Sequence, residues 1–315
     1  LLTFLGVIPL WFFAYYRAQR YLLARTRWMG IRFGLAPGAW GYAARATWHW
    51  TLTLITLGAW HPRLRFALAK YRHDRTYFCT QKMAQGGERG FLYPAFAHVL
   101  IGGVLTLGTL AVAGLEFGAH FAALDAGGGE EPAPIPPVWR MFFLSVPWLV
   151  FGLIHYGVEG RRLLISRLGV GDIAFDPRPR VGKILWITLS GNAARYAGAI
   201  GLFLVASLAL VGVAWANGVE LDAMSEADDV EAYMMVFADL PTWVPVAVGA
   251  FFYFAIFLTW NVLTHIFLTL PTWRHYANTL AITGAEGLVD IRQRARDESR
   301  EAGGFAEALD VGAAI

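Results

Sequence analysis

The sequence has little charge and a single cysteine. Charged residues make up 16% of its 315 residues, against about 25% in a typical soluble domain. Hydrophobic residues make up 57% and come in long blocks, and the mean hydropathy is +0.46. This composition argues against a fold with one water-facing surface. It indicates an integral membrane protein that crosses the bilayer several times.

The lone cysteine, Cys79, excludes a disulfide within the chain. It also excludes zinc and iron–sulfur sites that need several thiolates from one chain. The sequence contains no phosphate loop, dinucleotide fingerprint or nucleophile elbow. We therefore expect a protein that is not an enzyme and has no nucleic-acid partner.

Long apolar runs predict the membrane spans. About 20 apolar residues are needed to cross a bilayer as a helix. Four stretches qualify: Leu92–Leu115, Val138–Val158, Tyr196–Trp215 and Val244–Leu270. Leu1–Tyr16 is shorter, and because arginines rather than a cleavage site follow it, we interpret it as the visible end of a fifth span and not as a signal peptide. The expected fold class is all-α, with about five transmembrane helices.

The distribution of charge predicts the orientation. Nearly all of the 26 lysines and arginines lie in residues 17–32, 61–90 and 159–183 and in the C-terminal tail. The loops 116–137 and 216–243 carry acidic residues and no basic ones. Because loops rich in Lys and Arg remain in the cytoplasm, we expect the basic segments and the C-terminus inside and the acidic loops outside.

One stretch, Tyr42–Trp60, has an ambiguous relation to the membrane. A crossing here would place the basic segments before and after it on opposite sides, against the charge rule. The stretch also carries Arg45 and His49, which are costly at mid-bilayer, and its tryptophans suit headgroup depth. We interpret it as a re-entrant or interfacial helix, with a true crossing as the alternative.

Similar segments recur in the same order and predict an internal repeat. Arg20–Arg25 resembles Arg162–Arg167, and Gly41–Arg45 shares the pattern Gly-x-Ala-Ala-Arg with Gly191–Arg195. A short extended piece, Ile-x-Phe, precedes the Gly-x-Ala-Ala-Arg element in both copies, and we interpret that element as the start of a helix. Both copies begin with a span that enters the cytoplasm, so the two divergent repeats are parallel.

The repeat suggests a division of the chain into four parts. Residues 1–90 form the first repeat, with a span, an Arg-rich turn and the interfacial helix. Residues 91–137 form a linking span and an acidic outer loop. Residues 138–285 form the second repeat, with an additional acidic outer loop, and residues 286–315 form a cytoplasmic tail.

Several segments carry a resemblance to a known family. They are Arg20–Leu35, with the sequence RYLLARTRWMGIRFGL, a downstream Leu-x-Thr-Leu-Gly run, the Tyr-x-x-x-Arg-Thr element of Tyr21–Thr26 that recurs at Tyr71–Thr76, then Trp273–Thr279 and Ala306–Gly312. These segments resemble the YjgN-like family of bacterial inner-membrane proteins of unknown function, and the resemblance covers most of the chain. It implies a multi-pass protein of the bacterial inner membrane. It implies no activity and no site residues.

Arginines close to the ends of two predicted spans form the first candidate site. One interpretation is that these arginines set the membrane topology and anchor the chain to anionic lipid. The alternative is a binding surface for a phosphate-bearing lipid or an acidic partner, since a guanidinium group can donate two parallel hydrogen bonds to a phosphate. With their adjacent aromatic residues, the candidates are Arg17, Arg20, Tyr21, Arg25, Arg27, Trp28, Arg161, Arg162 and Arg167.

Four histidines within apolar stretches form the second candidate site. Neutral imidazole is a ligand for metals and for haem. The alternative is four unrelated histidines, because none shows a ligand spacing such as His-Glu-x-x-His. The candidates are His49, His98, His155 and His265.

These observations lead to three hypotheses for function. The first is a non-catalytic inner-membrane protein, without a cofactor, that associates with anionic lipid headgroups at the cytoplasmic face or with a larger membrane complex. The second is a transporter or pore for a small or amphipathic solute, since repeats are frequent in transporters. The lack of Asp and Glu inside the four spans argues against an ion-driven carrier. The third is a haem-binding membrane subunit.

Overall fold

Long apolar helices form most of the chain. The computed structural model describes residues 2–28, 30–125, 137–216, 218, 241 and 243–290. Most of the two predicted acidic outer loops and nearly all of the predicted tail lie outside these residues. The chain divides into two units, of which unit 1 is Leu1–Val181 with Thr279–Ile315 and unit 2 is Gly182–Asn278.

Unit 1 contains five α-helices and unit 2 three among the described residues. The helices of unit 1 are α1 (Leu2–Arg25), α2 (Ala39–Ile55), α3 (His61–His73), α4 (Tyr93–Asp125) and α5 (Phe142–Ile165). In unit 2, the long α6 (Val181–Ala216) is followed by α7 (Trp243–Thr264), a π-helical turn (His265–Thr269) and the short α8 (Leu270–Asn278).

Four helical stretches in the described residues are long and apolar enough to cross a membrane. They are Tyr93–Ala122, Val138–Ile165, Val181–Ala216 and Val246–Asn278. They correspond to the four clear spans of the sequence and confirm that part of the prediction. Neither α1 nor α2 is among them, so the fifth crossing and the interfacial helix stay predictions.

A sheet of short strands corrects the all-α prediction, although the chain is mostly helical as expected. The strands are antiparallel and neighbour one another in chain order: β1 (Arg27–Trp28), β2 (Ile31–Leu35), β3 (Thr76–Phe78), β4 (Gln81–Gln85), β5 (Leu168–Val170), β6 (Ile173–Pro177) and β7 (Leu280–Thr283). Strands this short give no clear alternation of apolar and polar residues, which is the signal that predicts a strand. The expected extended Ile-x-Phe pieces are the beginnings of β2 and β6.

Three two-residue hairpins supply six of these strands. Trp28 pairs with Ile31, and the equivalent pairs close the hairpins that follow α3 and α5. Such loops need residues with positive φ, and Cys79 and Gly171 have φ of 59° and 60°. The succession of helix, hairpin and helix therefore occurs three times in the described residues. The repeat predicted from the sequence has two copies and stays a prediction.

The Gly-x-Ala-Ala-Arg element begins a helix in only one of its two copies. Gly41 lies in the first turn of α2, which begins at Ala39. Gly191 lies well inside α6, which already begins at Val181, so the prediction is wrong there. The reason is that residues 183–190 contain neither glycine nor proline and continue the helix without a break.

Two of the apolar cores of unit 1 join its helices, and a third lies in the sheet around Phe78 and Val170. Phe13, Tyr16 and Tyr42 belong to the first, which joins α1, α2 and α3. The second joins α3, α4 and α5. Beyond this core α4 and α5 also pack closely, since there is no space for a side chain at Gly102: a Cβ atom there would lie 2.7 Å from the Cα atom of Leu149. Small residues permit this close approach between apolar helices.

Candidate anion-binding site

A cavity of about 990 Å³ in unit 1 is lined mainly by residues of α2, α3 and the segment before α4. Asp74 and Glu88 are the acidic residues of its wall, and His49 also lines it. The cationic residues of its wall outnumber the acidic ones: Arg45, Arg63, Lys70, Arg75 and Arg89. The cavity is therefore positively charged and is the candidate functional site of unit 1.

Tyr71 positions two of these arginines. The guanidinium carbon of Arg75 lies 3.7 Å from the centre of the Tyr71 ring, and that of Arg45 lies 4.6 Å from it. Tyr71 lies in the last turn of α3, and Arg75 follows it by four residues, just after the helix ends. Because an aromatic face attracts cations, the tyrosine holds both guanidinium groups at the cavity wall without neutralising them.

Two glycines bring the start of α2 against Tyr71. The Tyr71 hydroxyl donates a hydrogen bond of 2.9 Å to the carbonyl oxygen of Gly38. A Cβ atom would lie 2.7 Å from this hydroxyl oxygen on Gly38 and 2.5 Å from it on Gly41. Gly38 also has a φ of 142°, which L side chains rarely adopt. Glycine is therefore needed at Gly38 for both backbone conformation and space, and at Gly41 for space.

His49 and Trp60 form another part of the wall. The Trp60 indole Nε1 donates a hydrogen bond of 3.0 Å to His49 Nδ1, and the Arg63 guanidinium carbon lies 4.4 Å from the centre of the Trp60 ring. Burial lowers the pKa of His49, and the positive charges of Arg45 and Arg89 lower it further. A neutral imidazole is the form that can accept the indole hydrogen bond.

Most of the cations in the cavity have no carboxylate partner. Lys70 forms an ion pair of 3.0 Å with Asp74, which also accepts a 2.8 Å hydrogen bond from the Gln85 backbone. Within the described part of the chain, no carboxylate lies within 4.0 Å of the four arginines. Guanidinium groups without a carboxylate partner around one cavity suit an anionic ligand with several oxygens, such as a phosphate.

The comparison with protein families agrees with the resemblance of the sequence. A family model described as a bacterial protein of unknown function, DUF898, matches residues 1–307. The chain belongs to this family, which is the YjgN family. No curated protein and no solved structure matches it. Membership therefore assigns neither an activity nor site residues.

The first group of predicted arginines, before α2, does not line the cavity. The Arg25 guanidinium carbon lies 3.6 Å from the centre of the Tyr21 ring at the end of α1. Trp28, on β1, packs against Phe78, with ring centres 5.7 Å apart. The other members of this group lie on α1 or β1: Arg17, Arg20 and Arg27.

The second group of predicted arginines lies at and just after the end of α5. Arg161 lies on this helix, and Arg162 forms an ion pair of 2.6 Å with Glu159. The Arg167 guanidinium carbon lies 4.7 Å from the centre of the Phe91 ring. Of all the predicted site residues, His49 alone lines the cavity among the residues that the structure describes.

The structure brings together two of the four candidate histidines. The rings of His98 on α4 and His155 on α5 lie 5.0 Å apart at their centres. His49 instead contacts Trp60, and His265 is the first residue of the π-helical turn in unit 2. The described residues contain no group of three or more His, Cys, Asp or Glu that could hold a metal ion. Haem binding stays a prediction.

Proposed function

We propose that this protein is a multi-pass protein of the bacterial inner membrane that binds the anionic headgroup of a phospholipid in the cavity of unit 1. One observation carries the proposal. Four guanidinium groups surround one cavity and have no carboxylate partner among the described residues: Arg45, Arg63, Arg75 and Arg89.

The chemistry of the cavity wall favours a lipid headgroup. Each guanidinium group can donate two parallel hydrogen bonds to phosphate oxygens. The wall also contains Trp60, Phe66 and Tyr71, which offer apolar surface beside the cations. A phospholipid presents the matching combination of a charged phosphate and an apolar remainder. Aromatic residues are moreover enriched at headgroup depth.

The charge of the surrounding segment supports a cytoplasmic position for this cavity. Most of its residues come from 61–90, one of the segments rich in Lys and Arg. Such segments remain in the cytoplasm, and the cytoplasmic leaflet attracts basic residues, by about 1 kcal/mol for each one near the surface. The proposal therefore includes a cytoplasmic face for the cavity and a cytoplasmic C-terminus.

Two double variants of the full-length protein test the proposal. We expect Arg45→Gln with Arg89→Gln to weaken the binding of a fluorescent phosphatidylglycerol by about 10- to 100-fold, since each charge-assisted hydrogen bond contributes about 1.5–3 kcal/mol. The matched control is Arg20→Gln with Arg27→Gln, which removes the same charge from arginines that do not line the cavity. Fluorescence anisotropy of the labelled lipid in detergent measures the binding.

The two double variants distinguish lipid binding in the cavity from a general attraction of the lipid to positive charge. The proposal holds if only the cavity variant loses affinity and if a labelled phosphatidylcholine binds weakly to the wild type. Equal losses in both double variants would mean that total charge, and not this cavity, attracts the lipid. Unchanged binding in the cavity variant would contradict the proposal.

The other hypotheses have no comparable support in the described residues. Transport of a small or amphipathic solute, association with a larger membrane complex and haem binding stay predictions from the sequence. The proposed ligand is a version of the first hypothesis, but it is assigned to different residues.

A further inference from the structure

Arg195 in unit 2 lies at one end of an apolar membrane span. The 20 residues from Tyr196 to Trp215 carry no charge. At 1.5 Å per residue they extend about 30 Å, which is the thickness of the hydrocarbon core of a bilayer. If this run fills the core, Arg195 lies at the level of the lipid headgroups.

The partner helix supports the same depth. Arg195 contacts Trp260 and Thr264, near the end of α7, and α7 begins at Trp243. The part of α7 between Trp243 and Trp260 is again close to the thickness of the apolar core. Tyr196 and Trp260 pack against each other, with ring centres 5.3 Å apart. Tyr and Trp residues are enriched at the membrane–water boundary.

The contacts of Arg195 fix its guanidinium group but leave donors unused. One terminal nitrogen donates a hydrogen bond of 2.6 Å to the Asn192 side-chain oxygen, and the other donates one of 3.3 Å to Thr264 Oγ1. The guanidinium carbon lies 3.9 Å from the centre of the Trp260 ring. Its Nε is buried and has no hydrogen-bond partner in the described part of the chain, and no carboxylate there lies within 4.0 Å.

Close packing of α6 against the end of α7 and the π-helical turn that follows it holds this arrangement in place. Gly191 and Gly198 share a face of α6 with Arg195, because their spacing is that of one helical face. A Cβ atom on Gly191 would lie 2.8 Å from a methyl carbon of Leu268 and 2.9 Å from the Phe267 carbonyl oxygen. The contact includes the π-helical turn, a feature frequent at functional sites.

We infer that Arg195 binds a phosphate group of a phospholipid at the headgroup boundary of unit 2. A half-buried guanidinium group at a membrane boundary is stabilised by an anionic partner, and the described residues provide none within 4.0 Å. The phosphodiester groups of lipids lie at this depth, and arginine binds phosphate with paired hydrogen bonds. Because the group is already fixed by Asn192, Thr264 and Trp260, little conformational freedom is lost on binding. The inference does not rest on the cavity of unit 1.

Native mass spectrometry of the full chain tests this site. The protein is released from mild detergent that contains phosphatidylglycerol, and the retained lipids are counted. We expect Arg195→Gln to retain one lipid fewer than the wild type. The matched control is Lys183→Gln, which removes an exposed cation from the same helix and should retain the full number. The double variant of Arg45 and Arg89 should keep the lipid bound at Arg195, so failure at either site is distinguishable.

A second measurement uses the wild type, so it does not depend on the folding of a variant. A phosphatidylglycerol with a photoreactive headgroup should label peptides that contain Arg195 and Trp260. Addition of millimolar inorganic phosphate distinguishes the two sources of the ligand. A phosphate adduct that depends on Arg195, without a lipid adduct, would assign the site to free phosphate and overturn the inference. Full lipid retention by Arg195→Gln, or no labelling of these peptides, would also overturn it.

Discussion

The two units contain the same local pattern in different surroundings. In unit 1, Gly41 leaves space for Tyr71 of the neighbouring helix, and Arg45, four residues after Gly41, lies over the Tyr71 ring. In unit 2, Gly191 leaves space for Leu268, and Arg195, four residues after Gly191, lies over the Trp260 ring. In both places glycine provides close approach, and the arginine on the same helix face reaches the aromatic residue.

The difference lies in what the neighbouring helix contributes. In unit 1 the helix that carries Tyr71 is strongly basic, and Arg75 contacts the same aromatic ring as Arg45. The result is a charged cavity. In unit 2 the neighbouring helix is apolar, and Arg195 is held by Asn192 and Thr264. One local pattern therefore supports a cavity with several cations in one place and a single fixed guanidinium group in another.

The largest effect that we expect is from Gly38→Ala in unit 1. An alanine here would have to adopt an unfavourable φ, and its Cβ atom would clash with the Tyr71 hydroxyl. The free energy of unfolding should therefore fall by about 2–4 kcal/mol. Thermal unfolding in detergent measures it. Gly103→Ala is the control, because Gly103 lies in a helix where an added Cβ atom would have no atom within 4 Å. A stability equal to that of the control would show that Tyr71 is not held against α2.

The second prediction compares the two glycines of the shared pattern. Gly41→Ala and Gly191→Ala should each destabilise the protein by about 1–3 kcal/mol through overpacking. The effect at Gly191 should be larger, because an added Cβ atom there would meet the backbone carbonyl oxygen of Phe267 at 2.9 Å, whereas the atoms around Gly41 belong to side chains. Gly182→Ala is the helical control in unit 2. The reverse order would mean that the Tyr71 side chain, held by its hydrogen bond to Gly38, is the more rigid contact.

The smallest effect concerns pH and the histidines of unit 1. Burial lowers the pKa of His49, His61 and His73. Below the ordinary histidine pKa of about 6.5, the unfolded chain then binds more protons than the folded chain. Stability is therefore greatest above that pH and decreases as the pH falls through it. Thermal unfolding of the wild type should therefore occur at a lower temperature at pH 5 than at pH 7.5.

A single substitution sharpens this prediction. His73→Gln removes one of these half-buried imidazoles, so its loss of stability between the two pH values should be smaller than that of the wild type. His73 Nδ1 lies 2.6 Å from Gln85 Oε1, and this hydrogen bond raises the pKa of His73, against the larger effect of burial. Identical pH dependence in both proteins would contradict the assignment of a neutral, half-buried His73.

The sequence predicts the features that depend on local composition. The four spans are recognisable because length and apolarity are properties of a continuous stretch. The extended pieces at β2 and β6 follow from their short Ile-x-Phe pattern. The family is recognisable from the segment Arg20–Leu35. None of these conclusions depends on which residues contact each other in the folded chain.

The sequence does not predict the cavity, because the residues of its wall come from α2, α3 and the segment before α4, and only the folded chain brings these elements together. In the sequence, Arg45 stands out as a cost of crossing the membrane and as the end of the Gly-x-Ala-Ala-Arg element, and Arg75 as part of a basic segment and of a repeated Tyr-x-x-x-Arg-Thr element. That spacing is the available signal, since residues four apart at a helix end can meet on one face. The sequence does not show that Gly38 and Gly41 bring Arg45 to the same tyrosine.

Composition by itself determined that the chain has helices able to cross a membrane and that its basic residues are concentrated in a few segments. The tertiary structure alone decided that short strands from distant segments pair in one sheet, and which arginines share a cavity. The physical reason is that hydrophobic transfer acts on each stretch independently. Strand pairing and the electrostatics of a cavity depend on distances between residues that only the folded chain sets.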